Sequence, residues 1–341
     1  MASVREVARQ AGVSIATVSR VLNGQTSVRD DLRRKVLAAA DQCRYVPTVG
    51  RRTTDRVALI YTGPFSVGSP YDSACIEGIV RAVRETPYDL SILDMARDRT
   101  EGESLTAFLT RKGVCGAIVR STIDERHLVE EMGREEVPLV VLGDHFLHPT
   151  LRFCYADSRA ASREAVEHLI SIGHRTIAFA SCDVDDGDHI DRYESYRGVM
   201  DEAGLYREDM VHRVPPYRMD GSPLIRRILS KSDRPTALFV SDPLVAVGVL
   251  NEAHRLGVDV PGELSIVAVD DTDTRNMVHP CFSSICQDSE RLGEQALRGL
   301  CDLIDGGSGT PLTPLQQAWF EIHATTAPPP AKVERFLPRR V

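Results

Sequence analysis

Arg20 closes the stretch Ser14-Ile15-Ala16-Thr17-Val18-Ser19-Arg20, and a guanidinium fork can meet guanine O6 and N7 with two parallel hydrogen bonds. Ser14 can cap a helix whose first turn is Ile15, Ala16 and Thr17, the side chains that would then face base edges. Ile15 and Ala16 offer only apolar contacts, such as one to a thymine methyl. A second set of reactive side chains stands at the ends of apolar runs far along the chain: Arg120, Arg192, Asp242 and Asp270. Carboxylates accept paired sugar hydroxyls, and arginines clamp anionic oxygens.

The elements that must position the first set are short helices. Ala8, Gly12 and Val18 fit a helix-turn-helix: a small residue lets two helices approach, Gly12 permits a positive φ in the tight turn, and Val18 fills the angle between them. Asn23-Gly24 ends the second helix, and Ser27 with Asp30 resembles a capping box opening a third, apolar along Leu32, Val36, Leu37, Ala39 and Ala40. Charge supports the reading. The chain carries 41 Lys and Arg against 49 Asp and Glu, a net −8, yet residues 1–56 hold eleven basic residues against five acids. A basic head on an acidic body suits a phosphate-binding arm whose body must not bind polyanions.

The run V-x-x-V-A-x-x-A-G-V-S-x-x-T-V-S-R-V-L-N, followed by a third helix and Tyr45-Val46-Pro47, closely resembles the LacI/GalR family of bacterial transcriptional regulators. The resemblance implies a homodimer that lays its second helix in the major groove of each half of a near-palindromic operator. It carries base reading onto Ile15, Ala16 and Arg20, and phosphate contact onto Thr17, Ser19 and Asn23. The linker departs from the family, which usually continues with Asn and A-R-x-L, a hinge helix whose Leu wedges into the minor groove. Here the chain reads TVGRRTTDR, shorter by about five residues, with neither that Ala nor that Leu. Gly50 and the Thr pair are poor helix formers, so residues 48–56 read as a flexible basic tether in which Arg51 and Arg52 can follow the minor groove or phosphates.

From Val57 onward, short β-rich runs alternate with amphipathic segments. Strands are expected at 57–61, 90–93, 116–119, 139–142, 176–180, 237–240 and 265–269, and helices at about 72–85, 101–112, 125–135, 158–172, 191–203, 222–230 and 244–256. This α/β alternation predicts parallel, doubly wound sheets in two subdomains, with a ligand cleft beyond their strand ends. The runs HLISIGHRTIAF, ALFVSD and SIVAVDD extend the family resemblance to about residue 330, and imply a periplasmic-binding-protein-like body with three crossings between subdomains. The expected division is 1–47 head, 48–56 linker, 57–330 effector and dimerisation body, and 331–341 tail. Ser289 to Asp302 reads as a further helix, in a region the family uses for dimerisation.

The resemblance makes Thr62, Tyr71 and Asp72, after the first strand, candidates for effector contact. Arg192 matches the family's ligand-clamping arginine, while Ser241 replaces an expected Asn. Gly143 and Arg120 stand at other strand ends, and Asp242 and Asp270 where strands meet the cleft. Two arginines converging on one cleft would favour an anionic effector, a sugar acid or sugar phosphate over a neutral sugar, unless Arg120 pairs with Asp124 or Glu125.

Other motifs lead nowhere. GPFSVG imitates a P-loop, but Ser69-Pro70 stands where Lys-Ser/Thr is needed. The loop with Asp183, Asp185, Asp186, Asp188 and Asp191 lacks EF-hand order, and Asp144, His145 and His148 read as a pre-proline surface loop. No cofactor and no metal is expected. Eight scattered cysteines without a C-x-x-C pair read as reduced thiols. The charged N-terminus and the absence of a long apolar window predict a cytoplasmic protein without a membrane span. The proline-rich tail, lacking leucine heptads, points to a dimer rather than a tetramer. An enzyme, a sugar kinase or hydrolase with a fused DNA-binding head, is the competing class, disfavoured because no G-x-S-x-G is present. A regulator answering to a phosphoprotein partner is a second alternative.

Overall fold

Three short helices open the chain: α1 (Val4–Ala11), α2 (Ile15–Leu22) and α3 (Asp30–Gln42). Gly12 ends α1 with φ 66°, its N–H donating to the carbonyls of Ala8 and Arg9, a left-handed turn that favours glycine. The Ser14 hydroxyl accepts from the Thr17 N–H at 3.1 Å and so fixes the start of α2. Val7, Ala8, Val18, Val21, Val36, Ala39 and Ala40 bury one small core between the three helices. The computed structural model describes residues 3–22, 28–43, 55–63, 67–100, 102–135, 137–182, 186–215, 221–306 and 316–332. The expected cap at Ser27, the linker from 48 to 54, the centre of GPFSVG, Asp183 and Asp185, and the tail from 333 lie outside them.

The body continues in chain order with β1 (Arg56–Tyr61), α4 (Pro70–Val83), β2 (Asp89–Asp94), α5 (Met95–Asp98), α6 (Leu105–Lys112), β3 (Gly116–Arg120), α7 (Arg126–Arg134), β4 (Leu139–Leu142) and β5 (Arg152–Cys154). These strands form one parallel sheet in the order β2-β1-β3-β4-β5. After β6 (Ala156–Asp157) the chain passes to α8 (Arg159–Ser171), β7 (Ile177–Cys182), α9 (Gly187–Glu202), β8 (Val211–Val214), α10 (Gly221–Leu229), β9 (Ala237–Val240), α11 (Pro243–Leu256), β10 (Ser265–Asp270) and β11 (Ser283–Cys286). It then returns to the first subdomain in α12 (Ser289–Ile304), and goes back through β12 (Gln316–Gln317), which pairs with β6, to β13 (Trp319–Glu321). The second sheet runs β13-β11-β10-β9-β7-β8, with only β13 antiparallel. The chain therefore crosses between subdomains three times, as the resemblance implied.

Both sheets have the same winding, with strand order reversing between β1 and β3 in one and between β7 and β9 in the other. Helices cover both faces, which is why β3, β4, β7, β9 and β10 are buried end to end. α4 and α12 lie close enough that a methyl group on Gly78 or Gly293 would overlap the facing backbone. Strands β5, β8, β11 and β13, not foreseen in the sequence, are short, and all four carry Arg, His, Ser or Glu where an apolar run would be expected. α9 starts four residues earlier than expected because Asp186 caps it, accepting from the His189 N–H at 3.0 Å.

Candidate nucleic-acid interface and effector cleft

Packing Val18 and Val21 inward leaves Ile15, Ala16 and Arg20 together on the exposed face of α2. Ile15 keeps 47% of its surface exposed, a large apolar residue held in water on the face where a thymine methyl could meet it. Thr17 is half-buried, its hydroxyl 2.8 Å from that of Ser14, and Ser19 is half-buried beside it. Asn23, Arg51 and Arg52 fall outside the described residues.

In the body, the two reversal points face one another, and the polar residues at their strand ends meet there. Arg120, the last residue of β3, donates from Nε to Asp72 Oδ1 at 3.0 Å and from Nη1 to the Leu142 carbonyl at 2.9 Å. Its guanidinium lies 4.6 Å from the centre of the Tyr71 ring and its Nη2 3.8 Å from Asp186 of the other subdomain. Burial works against the charge, but Asp72, Tyr71 and Asp186 hold the group protonated. Gly143 has φ 72°, and a Cβ there would run into Arg120 and the Tyr71 hydroxyl. This glycine is the space the arginine occupies.

Two further contacts tie the subdomains. Asp144, fully buried, accepts from Arg126 through Nε and Nη2, from Ser121, and from the Gly187 N–H that opens α9 at 2.9 Å. His145 Nε2 lies 3.0 Å from Asp191, and its ring stacks on Tyr155. Burial depresses the His145 pKa, yet the hydrogen bond and charge of Asp191 outweigh it and raise the group above its ordinary 6.5. Asp144 and His145 are thus an interdomain clasp and not a surface loop, while His148 turns aside to accept from the N–H groups of Thr150 and Leu151.

On the second subdomain's wall, Arg192 reaches the Ser241 carbonyl at 3.3 Å and Gln287 Oε1 at 3.5 Å, with Asp188 4.0 Å away. Asp188 is buried, and the burial together with neighbouring Asp186 pushes its carboxyl up to about 7. Gln287 also donates to Asp271 at 2.5 Å, whose carboxyl burial lifts to about 6. Tyr71 Oη, Asp188 Oδ1, Arg192 Nε and Ser241 Oγ are all buried without a hydrogen-bond partner among the described residues. Buried polar atoms are normally satisfied, so four orphans along one cleft leave hydrogen-bonding capacity that a polar ligand can fill.

Residues 3–48 match the family profile described as bacterial regulatory proteins, lacI family, and residues 166–318 match the periplasmic-binding-protein-like domain. Catabolite control protein A of Priestia megaterium is 29% identical over 304 residues, covering 87% of this chain and 90% of that protein. The chain belongs to the LacI family of bacterial regulators. The ribose operon repressor of Haemophilus influenzae is 27% identical across 89% of this chain and 92% of its own. Among solved structures, a CelR–cellobiose complex superposes with a TM-score of 0.70 at 26% identity, covering 96% of this chain and all of that one. A lac repressor dimer bound to operator and an anti-inducer, 22% identical with a TM-score of 0.69 over 96% and 99%, shares the fold. This LacI-family member is accordingly a ligand-responsive, DNA-binding regulator of transcription.

Within that frame the expected cleft residues separate. Tyr71, Asp72, Arg120, Gly143, Arg192 and Ser241 come together. Thr62 does not: its hydroxyl donates to the Arg120 carbonyl, and it lines a separate groove with Met95, Arg99 and Glu125. Asp270 is also corrected. Its oxygens already accept from the N–H groups of Thr274 and Arg275 and from the Arg275 guanidinium at 2.7 Å, so it organises the loop after β10 and has little capacity left for paired sugar hydroxyls. Asp242 spends one oxygen capping α11 through the Val245 N–H. Arg120 pairs with Asp72 and not with Asp124 or Glu125. Asp144, Asp188, Asp271 and Gln287 are cleft residues that the sequence does not single out as such; Asp188 shows there only as part of an acidic stretch that makes a poor calcium site.

Proposed function

We propose that the chain is a homodimeric repressor of genes for uptake or catabolism of a carbohydrate-like molecule, bound to a near-palindromic operator in the cytoplasm and controlled by an effector in the cleft. The reading divides it into a head at 1–47, a linker at 48–56, a sensing and dimerising body at 57–330 and a tail at 331–341. Ile15, Ala16 and Arg20 read bases, Thr17, Ser19 and Asn23 hold phosphates, and Arg51 and Arg52 follow the DNA backbone or minor groove. In the cleft, Tyr71, Asp188, Arg192 and Ser241 make the direct polar contacts, with Asp72, Arg120 and Gly143 shaping the wall. The four unsatisfied polar atoms carry this assignment. No described helix is long and apolar enough to cross a membrane.

An effector that binds one relative orientation of the subdomains better than another shifts the population toward it, and the dimer relays the shift to the spacing of the heads. The body binds its ligand without converting it. The test is operator selection from a random DNA library at fixed salt, with and without candidate sugars. A palindrome recovered by the full chain and released or tightened by one compound supports the reading. Recovery of no palindrome, or turnover of a candidate sugar with ATP, overturns it.

A further inference from the structure

The charges in the cleft are unevenly matched. Asp72 and Asp186 share Arg120, and Asp186 also takes a 2.7 Å hydrogen bond from His189. Asp191 is covered by His145 and, at 3.6 Å, by Arg159. That leaves Arg192 as the cation between two carboxylates, Asp188 and Asp271, and it makes a hydrogen bond to neither. Its Nη groups go instead to neutral acceptors, the Ser241 carbonyl and the Gln287 amide oxygen. Among the described residues, Asp271 receives a side-chain hydrogen bond only from that same amide. Asp188 keeps Oδ1 unpartnered, with Arg192 at the far limit of an ion pair. Arg120, the second arginine that made an anionic ligand attractive, is already committed to the aspartates.

Resting on the effector-cleft reading above, we propose that the effector of this regulator is a polyhydroxylated amine, of amino-sugar or imino-sugar class, whose ammonium group pairs with Asp188. A buried carboxylate oxygen without a donor is costly, and an ammonium supplies both a charge and three donors to it. Tyr71 and Ser241, with hydroxyls that both donate and accept, then serve the ligand's hydroxyls, and Arg192 Nε donates to a hydroxyl or ring oxygen. A sugar phosphate or sugar acid would bring a second anion against Asp188 and Asp271, against the sign of the wall.

The groups facing Asp188 are Asp186 and Arg192 on its own element, Arg120 from β3, Tyr71 from α4, and His145, Cys154 and Tyr155 from the segments beyond β4. An ammonium stabilises the ionised carboxylate, so binding releases a proton and affinity rises with pH. For a ligand whose amine stays protonated over this range, affinity rises as the Asp188 carboxyl, pushed up to about 7 in the free protein, becomes ionised.

The experiment equilibrates the full chain with a mixed panel of glucosamine, galactosamine, 1-deoxynojirimycin, glucose, cellobiose, gluconate and glucose 6-phosphate, recovers bound compounds by mass spectrometry, and measures the affinity of each by calorimetry at pH 6 and pH 7. The expected result is retention of an amine-bearing compound, with affinity rising with pH, and a loss of at least tenfold together with the pH slope in Asp188→Asn. Retention of only neutral or anionic sugars, abolished by Arg192→Ala, overturns the amine assignment and leaves the cleft reading intact. Retention that survives both Asp188→Asn and Arg192→Ala, or no retention at all, overturns both.

Discussion

Gly143→Ala tests whether the cleft wall is built around Arg120. At φ 72° an alanine sits in the left-handed region, which costs about 1 to 2 kcal/mol without the freedom of glycine. Its Cβ would also stand 2.6 Å from Tyr71 Oη, and closer still to Arg120 Nη1, and overfilling a packed site of this kind costs about 1 to 3 kcal/mol. The two contributions place the destabilisation at about 2 to 5 kcal/mol, which for a unit of this size lowers the melting temperature by roughly 5 to 15 °C. Because Arg120 can give way only by straining its hydrogen bonds to Asp72 and Leu142, effector affinity falls as well. A thermal melt of the full chain reads the first effect without any ligand. Gly204, also at positive φ but with nothing near its Cβ, is the control: Gly204→Ala should show only the conformational component. Equal melting temperatures for Gly143→Ala and Gly204→Ala would refute the argument that Arg120 fills the space beside Gly143.

Arg20→Ala should cost about 1 to 3 kcal/mol of operator binding per half-site and relax preference at one base pair in each, read by titration of labelled operator against sequence variants. Gly293→Ala should separate α12 from α4, since its methyl would overlap the Cys75 carbonyl, and lower stability by about 1 to 3 kcal/mol in denaturant titration, whereas Gly306→Ala, facing open space, should not show this packing loss. His145 has a folded pKa raised above 6.5, so its contribution is fully present below pH 6.5 and disappears as pH rises through the higher folded value. The melting temperature of the native chain should therefore fall relative to His145→Gln as the pH rises above about 6.5; parallel curves would remove the His145–Asp191 pair from the interdomain clasp.

The head was legible because its requirements are local. Gly12 must turn with positive φ, Val18 must fill the helix crossing, and Ser14 must start α2, all within a dozen residues. The central strands were legible for a similar reason: buried parallel strands such as Ala237–Val240 are continuous apolar runs. β8 and β11 were not, because VHRV and SSIC are too mixed to stand out from their surroundings and pair only once distant strands are in place. The cleft shows the same limit. Sequence puts Asp270 at a strand end but does not reveal that Arg275 and two backbone N–H groups consume its oxygens. Nor can spacing tell apart neighbouring aspartates in one short stretch, of which Asp186 caps a helix, Asp191 bridges to His145, and Asp188 keeps one oxygen without a partner among the described residues.

These last three aspartates also suggest how sensing is set. The subdomains are joined at the cleft mouth by Asp144 to the Gly187 N–H, by Asp191 to His145 and by Asp186 to Arg120, all converging on the first turn and a half of α9, the helix that carries Asp188 and Arg192. A ligand bound to those two residues acts on the same helix that the clasp holds, so it alters the interdomain contacts without a relay through the core. For switching, what matters is the difference in its affinity between the clasped and unclasped arrangements, because equal affinity for both shifts nothing however tight the binding. Asp144→Asn, which keeps one acceptor for Gly187 but removes the charge held by Arg126, weakens the clasp while leaving Asp188, Arg192 and Ser241 in place. It should therefore change the effector concentration needed to shift operator affinity while leaving operator affinity of the head itself, measured on the liganded protein, within twofold. A variant that lost operator binding outright, with or without effector, would place Asp144 in folding of the body and dissociate the clasp from the response.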